Sequence, residues 1–197
     1  MTAPRGEPRP VRDGSATRQR IIDATIDCVA RAGATEASMA TIAAQAGVSK
    51  ALLHYHYSDR ARLLAEVVAQ LGERLAARER SALTGADGSK AVDALWRWLE
   101  NELARGELRV LLELSSIREP LVQDAAAAVS DARRVAAART TTDLMRRLGL
   151  EPRVPAELLG EASVAFMNGL AVAGPVAGSD PRVAFDVFWL AVLGLAE

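Results

Sequence analysis

The sequence predicts an all-α chain, and three observations predict it. Apolar residues recur at the i, i+3, i+4, i+7 spacing of one helical face in segment after segment, and glycine or proline separates those segments. No run of alternating β-branched residues and no Asn-Gly hairpin turn suggests a strand, and only 4% of the residues are aromatic.

Taken in order, residues 1–14 carry Pro4, Pro8 and Pro10 beside Arg5, Arg9 and Arg12 and read as a flexible basic arm that buries nothing. From Ser15 onward Ile22, Thr25, Ile26 and Val29 share one helical face, and Gly33 stands where a helix stops. Ser38 is an N-cap for a short second helix with Ile42, Ala43 and Ala46 on one side and Gly47 at its end. Ser49 caps a third, running to about His56. Ser58 and Asp59 open a long fourth one with Leu63, Leu64, Val67, Val68, Leu71 and Leu75. After a polar break at 84–89, further helices are expected near 90–105, 107–118, 120–148, 155–177 and 181–196.

Composition narrows the class. Half the residues are apolar and a quarter charged, as in a folded soluble protein. The single cysteine, Cys28, rules out a disulfide within the chain and points to a reducing, cytoplasmic setting. The N-terminus lacks the apolar core of a secretory signal. The longest uncharged stretch, 162–179, contains Asn168, Pro175 and three glycines; it reads as a buried helix, since a membrane span needs about 20 mostly apolar residues. A net charge of −1 hides an asymmetry: residues 1–62 carry nine Arg or Lys against six acids, so the first third is basic and the remainder acidic. That balance suggests an anionic partner for the N-terminal part.

Residues 42–57, Ile-Ala-Ala-Gln-Ala-Gly-Val-Ser-Lys-Ala-Leu-Leu-His-Tyr-His-Tyr, form a helix-turn-helix signature: an apolar helix, a glycine able to take positive φ, an apolar plug at Val48, then a second capped helix. At about 100° per residue, placing Leu53 on the core side brings Tyr57 beside it. Ala51 and Tyr55 then point outward, Leu52 and His54 take the shoulders, and Lys50 and His56 lie on the flanks. Such a face suits a DNA groove. Ala51 allows close backbone approach and can touch a thymine methyl, and Tyr55 offers a ring and a hydroxyl to base edges. Lys50, His54 and His56 can meet phosphates. Ser38 and Arg60, with Arg62 behind it, are candidates at helix starts, while Arg9, Arg12 and Arg18 could reach a minor groove.

In these residues the chain resembles the TetR family of bacterial transcriptional regulators. The family pattern is met by Thr17-Arg18, Ile21-Ile22, Gly33, Ser38, Ile42-Ala43, Ala46-Gly47-Val48-Ser49, Leu53, His56 and Leu63 without a gap. Tyr57 replaces a usual Phe and Arg60 a usual Lys; Ala51 stands where Gly is common, and His54 where a phosphate-contacting Tyr is usual. The resemblance spans about residues 17–71. It implies a helix-turn-helix DNA-binding domain over 15–60, with Ser49 and Leu52 among its contact residues, and a helical ligand-binding and dimerisation domain over 61–197.

The last helices carry their own signal. Val183, Phe185, Val187, Phe188, Trp189, Leu190, Val192, Leu193 and Leu195 leave little polar face, so this helix needs cover on both sides. A second copy of the chain is the expected cover, with Leu170, Phe185, Phe188, Trp189 and Val192 at the interface and Gly169, Ala173 and Gly174 permitting close packing; a central helix within one monomer is the other reading. The resemblance implies the homodimer independently, and with it a small-molecule effector enclosed by the middle helices. Candidate ligand contacts are Trp96, Glu113, Met145, Met167 and Asn168, followed by Trp98, Ser116, Arg118 and Thr141. Glu113 and Arg118 read equally as solvated ions and Met167 as core filler. Trp96 and Trp98 cannot share a helical face, so one is expected at the surface or an interface.

Catalytic and metal signatures are missing. His54 and His56 diverge on their helix, no Cys-x-x-Cys or His-Glu-x-x-His spacing occurs, and Gly85–Lys90 lacks the spacing of a phosphate loop. The sequence therefore predicts no enzyme and no cofactor. Its leading reading is a sequence-specific regulator of double-stranded operator DNA, a repressor released by a small molecule. A constitutive DNA-binding protein of the same fold is the alternative.

Overall fold

Two left-handed glycines set the first part of the fold. Gly33, at φ 84°, and Gly47, at φ 62°, each end a helix and turn the chain, a conformation that costs a residue with a Cβ about 1–2 kcal/mol. The computed structural model describes residues 14–86, 88–173 and 180–197, with the backbone alone at 88 and 89. The proposed arm, including Arg9 and Arg12, lies outside the described residues except for Gly14, as does Gly174.

Among the described residues there are nine helices: α1 (Gly14–Ala32), α2 (Met39–Ala46), α3 (Lys50–His56), α4 (Arg60–Leu83), α5 (Gly88–Arg105), α6 (Glu107–Ser115), α7 (Pro120–Arg147), α8 (Ala156–Ala173) and α9 (Pro181–Leu193). No helix among them is long and apolar enough to cross a membrane. Caps explain the boundaries. The Ser38, Ser49 and Asp59 side chains accept from the backbone N–H groups of Thr41, Leu52 and Arg62, each satisfying a donor that the first turn leaves open. α9 ends three residues short of the expected 196. Beyond Gly194 the chain turns extended, and Glu197 exchanges two backbone hydrogen bonds with Glu151 at 2.9 and 3.0 Å.

The long α4 joins both halves. Leu63, Leu64, Val67, Val68 and Leu71 form its buried stripe, next to α1 and α6, while its C-terminal half meets α5 and α7. The other main contact is α7 on α8, and glycine makes it close: a Cβ at Gly160 would stand 2.4 Å from the Arg134 carbonyl oxygen and 2.8 Å from Ala138 N. Gly72 meets the Val129 side chain in the same way, at 2.7 Å.

Both tryptophans of α5 are buried within the chain, where one was expected at the surface or an interface. Trp96 packs on Phe185 of α9 with ring centroids 5.2 Å apart, under Arg182, while Trp98 faces the interior from the other side of the helix. A helix covered by α9 on one side and by α4 and α7 on others can bury two faces. The last helix is also divided, not apolar on one interface. Phe185, Trp189 and Val192 are buried within the chain, Leu170 and Phe188 are partly buried, and Val183, Val187 and Leu190 face outward.

Because the neighbours of Gly160 are main-chain atoms, Gly160→Ala must push α7 and α8 apart. Its expected cost is about 1–3 kcal/mol of stability, read as a lowered thermal midpoint with helical content retained.

Candidate nucleic-acid interface

The seven residues of α3 divide sharply. Leu53 is fully buried and Tyr57, its C-cap, is 2% exposed, whereas Tyr55 is 83% exposed. Lys50, Ala51 and His54 are exposed beside Tyr55, and Leu52 and His56 are half-buried. The His56 ring meets the Tyr55 ring edge-on at 5.4 Å, which narrows the swing of an otherwise free aromatic. Val48 and Ala46 pack on the core at the α2–α3 corner, and Ala43 is buried there. Lys50, Ala51, His54 and Tyr55 thus form one open surface on a short helix anchored from behind. Ser38 and Ser49 sit at the starts of α2 and α3 with exposed side chains that already accept one backbone hydrogen bond each.

Two arginines expected to stand ready for DNA are occupied inside the domain. Arg18 pairs with Glu66 of α4 and lies 5.2 Å from the Tyr57 ring centre, tying α1 to α4. Arg60 donates through Nε to the Ala37 carbonyl at 3.0 Å and through Nη2 to the Ala34 carbonyl, bracing the loop before α2. A long cation next to uncapped carbonyls finds acceptors there without an anion from outside. Arg62 stays exposed, near Asp59 at 3.7 Å.

Glu113, expected at a ligand pocket, instead accepts from the Ala34 N–H. This places α6 against the same loop that Arg60 holds, and Arg109 adds a bond to the Ala30 carbonyl at 3.2 Å. A charged ladder runs alongside: Arg74 reaches Asp23 of α1 at 2.7 Å and Glu107 of α6 at 3.8 Å, and Arg78 reaches Glu107 at 2.7 Å and Glu102 of α5 at 2.6 Å. Sequence reading missed these residues, though a signal was present. Glu102 falls on the apolar stripe of Leu95, Trp98 and Leu99, where a carboxylate needs a partner.

Between α4, α5, α7, α8 and α9 lies a small interior chamber of about 20 Å³. Of the proposed ligand contacts, Met167, Thr141 and Trp98 line it; Trp96, Glu113, Met145 and Asn168 do not. Met145 is fully buried core at the end of α7. The Asn168 amide oxygen accepts from Arg133 at 2.9 Å, so its polar group is satisfied within the chain. Ser116 bonds back to the Glu113 carbonyl as the cap of α6. Also on the chamber wall is Glu79, which accepts a 2.9 Å hydrogen bond from Thr140 and whose carboxyl is pushed above the usual carboxylate range by burial. Glu79 continues the buried α4 stripe of Leu71 and Leu75, the same signal that marks Glu102.

Burial, reinforced by the neighbouring Glu66, pushes the Tyr57 phenol up to about 12. A raised phenol stabilises the fold fully below the unfolded value near 10 and loses that contribution as pH rises through 12. In a Tyr55→Phe background the remaining phenol should ionise at about 12 by near-ultraviolet absorbance, with stability falling between those two pH values. Tyr57→Phe should remove that part of the fall.

Comparisons with known proteins agree with this geometry. Residues 21–67 match the family model described as bacterial regulatory proteins, tetR family. No curated protein matches the chain. Among solved structures, a TetR transcription regulator from Haloarcula marismortui is 19% identical with a TM-score of 0.75, covering 93% of this chain and 100% of that one. A transcriptional regulator from Rhodococcus is 22% identical with a TM-score of 0.73, over 91% of this chain and 97% of its own. The multidrug binding protein EbrR, solved with imidazole, is 24% identical with a TM-score of 0.62, over 94% and 96%. The family model covers α2, α3 and their flanks, and the helical fold is shared with these solved structures over more than nine-tenths of the chain: residues 21–67 are similar to the bacterial regulatory proteins of the tetR family, and the rest is similar in fold.

Proposed function

We propose that this protein is a sequence-specific DNA-binding regulator, a repressor whose hold on its operator is relieved by a small molecule. The observation that carries the proposal is the exposed α3 surface, where Tyr55, Ala51, Lys50 and His54 stand out from a helix seated on Leu53 and Tyr57. Such a surface is unfavourable in water and well formed for a major groove, which is wide enough to admit a helix. In the division of domains that follows, residues 15–60 read DNA and 61–197 dimerise and bind the effector, with 1–14 as a basic arm.

The dimer face is the outer side of α8 and α9. Val183, Val187 and Leu190 recur at i, i+4, i+7 on α9, and Leu158 and Val172 are exposed on α8 with Ala162, Ala165 and Gly169 between them. An apolar surface of this extent is uncommon on a monomer and marks an association site. Two copies joined there would bind a near-palindromic operator with half-sites about 34 Å apart. The setting proposed is the cytoplasm.

The effector acts by preferring the dimer form whose reading helices are misplaced for adjacent half-sites. One observation favours the constitutive alternative: the chamber holds only about 20 Å³ as it stands. Operator release by a small molecule separates the two readings.

Footprinting on DNA upstream of the protein's own coding region should show a protected, two-fold symmetric site. Tyr55→Ala should weaken binding to that site by about 1–3 kcal/mol, and Lys50→Ala should lower the salt slope by about one if it meets a phosphate. Unchanged affinity in Tyr55→Ala would defeat the groove-reading proposal. On the other face, Leu190→Arg should shift the chain to monomer in sedimentation and abolish operator binding at the concentrations where the dimer binds.

A further inference from the structure

Glu79 is a partly buried carboxylate with acceptor positions left for a further partner. It extends the buried stripe of α4, and its only hydrogen bond among the described residues comes from Thr140, although a carboxylate offers about four acceptor positions. Arg133 directs its guanidinium to Asn168 at 2.9 Å, and it and Arg80 attract the Glu79 carboxylate through space, without a contact ion pair among the described residues. Among the described residues no basic one lines the chamber; its other walls include Trp98, Phe166, Phe188 and Trp189. A carboxylate facing aromatic rings attracts a cation twice, through charge and through the ring faces.

The route in is visible. An outer cleft of about 380 Å³ shares Glu79, Leu95 and Thr140 with the chamber, so the carboxylate stands at the junction of the two. Arg80, Arg139 and Arg147 line that cleft, but all three are exposed and screened by solvent and salt, and Asp143 sits among them. The chamber itself has room for about one water, so a ligand must displace side chains. Phe166 of α8 and Phe188 of α9 are the rings to part. They are stacked nearly parallel, 4.3 Å between centroids and 5° between planes, and both are only partly buried. A flat ring can replace one partner of that stack and keep the contact.

We propose that the chamber takes an organic monocation with a flat apolar body, its charged group on the Glu79 carboxylate and its ring in the place opened between Phe166 and Phe188. This rests on the reading of the protein as a ligand-responsive regulator, and names the class of ligand. The stack bridges α8 and α9, so opening it displaces the two helices whose outer sides form the dimer face.

The test is a series of one shape and three charges, benzamidinium, benzamide and benzoate, titrated into the full chain by calorimetry and by quenching of tryptophan fluorescence. Benzamidinium should bind at least tenfold more tightly than benzamide, with benzoate weakest. Glu79→Gln, with folding checked by circular dichroism, should bring benzamidinium and benzamide within twofold of each other. Equal or tighter binding of benzamide or benzoate by the native chain overturns the proposal, as does failure of benzamidinium to bind, and neither outcome depends on the variant. A Gln variant that folds and keeps the tenfold preference also overturns it. Operator retention in the same samples separates this from the broader reading. A bound benzamidinium that leaves operator affinity unchanged contradicts relief by a ligand while upholding the cation site; release by benzoate alone does the reverse.

Discussion

The seating of Leu53 and Tyr57 beneath α3 is the constraint on which the reading surface depends. Seven residues are too few for a stable helix in water, where isolated helices shorter than about 12 residues are marginal. α3 therefore persists because Ser49 caps its start and because two side chains on one side are buried, each worth about 1.5–3 kcal/mol for complete burial. Once those two are fixed, helical geometry leaves no choice about where Ala51 and Tyr55 point. Tyr57 is held in turn by Arg18 over its ring and Glu66 beside it, so α1 and α4 contribute to the aim of a helix they flank.

The N-terminal helices do not sit on the rest of the chain through apolar contact alone. Glu113 on the Ala34 N–H, Arg60 on the Ala34 and Ala37 carbonyls, and the ladder from Asp23 through Arg74, Glu107 and Arg78 to Glu102 join α1, α4, α5 and α6. Glu102 is 1% exposed, and removing one partner of such a buried pair costs about 3–5 kcal/mol because the other charge is left alone. These directional bonds cannot slide as an apolar contact can. A shift of α6 has to carry the loop before α2 with it, and that loop sets the start of the helix-turn-helix. α4 runs from this region to Glu79 at the chamber, so a side-chain event there has a rigid element to act through.

How much of this could be read in the residues depended on whether an interaction is local. Helix starts and stops are decided within a few residues by Ser38, Ser49, Asp59, Gly33 and Gly47, and they were legible. So was the rotation of α3, because Leu53 and Tyr57 follow helical periodicity. Contacts between distant segments were not: Arg18 and Arg60 are exposed cations by sequence, and only folding brings Glu66 and the Ala34 and Ala37 carbonyls to them. α9 was legible as apolar all round, yet its periodicity alone could not say that Phe185, Trp189 and Val192 face the chain's own core while Val183, Val187 and Leu190 face out. The proposed ligand contacts were the least legible. Oddness of residue type drew attention to Glu113 and Asn168, which are satisfied internally, whereas position on a buried stripe marks Glu79.

The most direct test of the reading surface uses the fact that the chain has only two tyrosines. With fluorinated tyrosine incorporated and each resonance assigned by single Tyr→Phe replacement, fluorine NMR can follow both rings as duplex bearing the footprinted site is added. The geometry predicts a large shift and broadening of the Tyr55 signal with the Tyr57 signal nearly unmoved. A Tyr55 resonance indifferent to DNA, or a Tyr57 resonance that responds first, would contradict it.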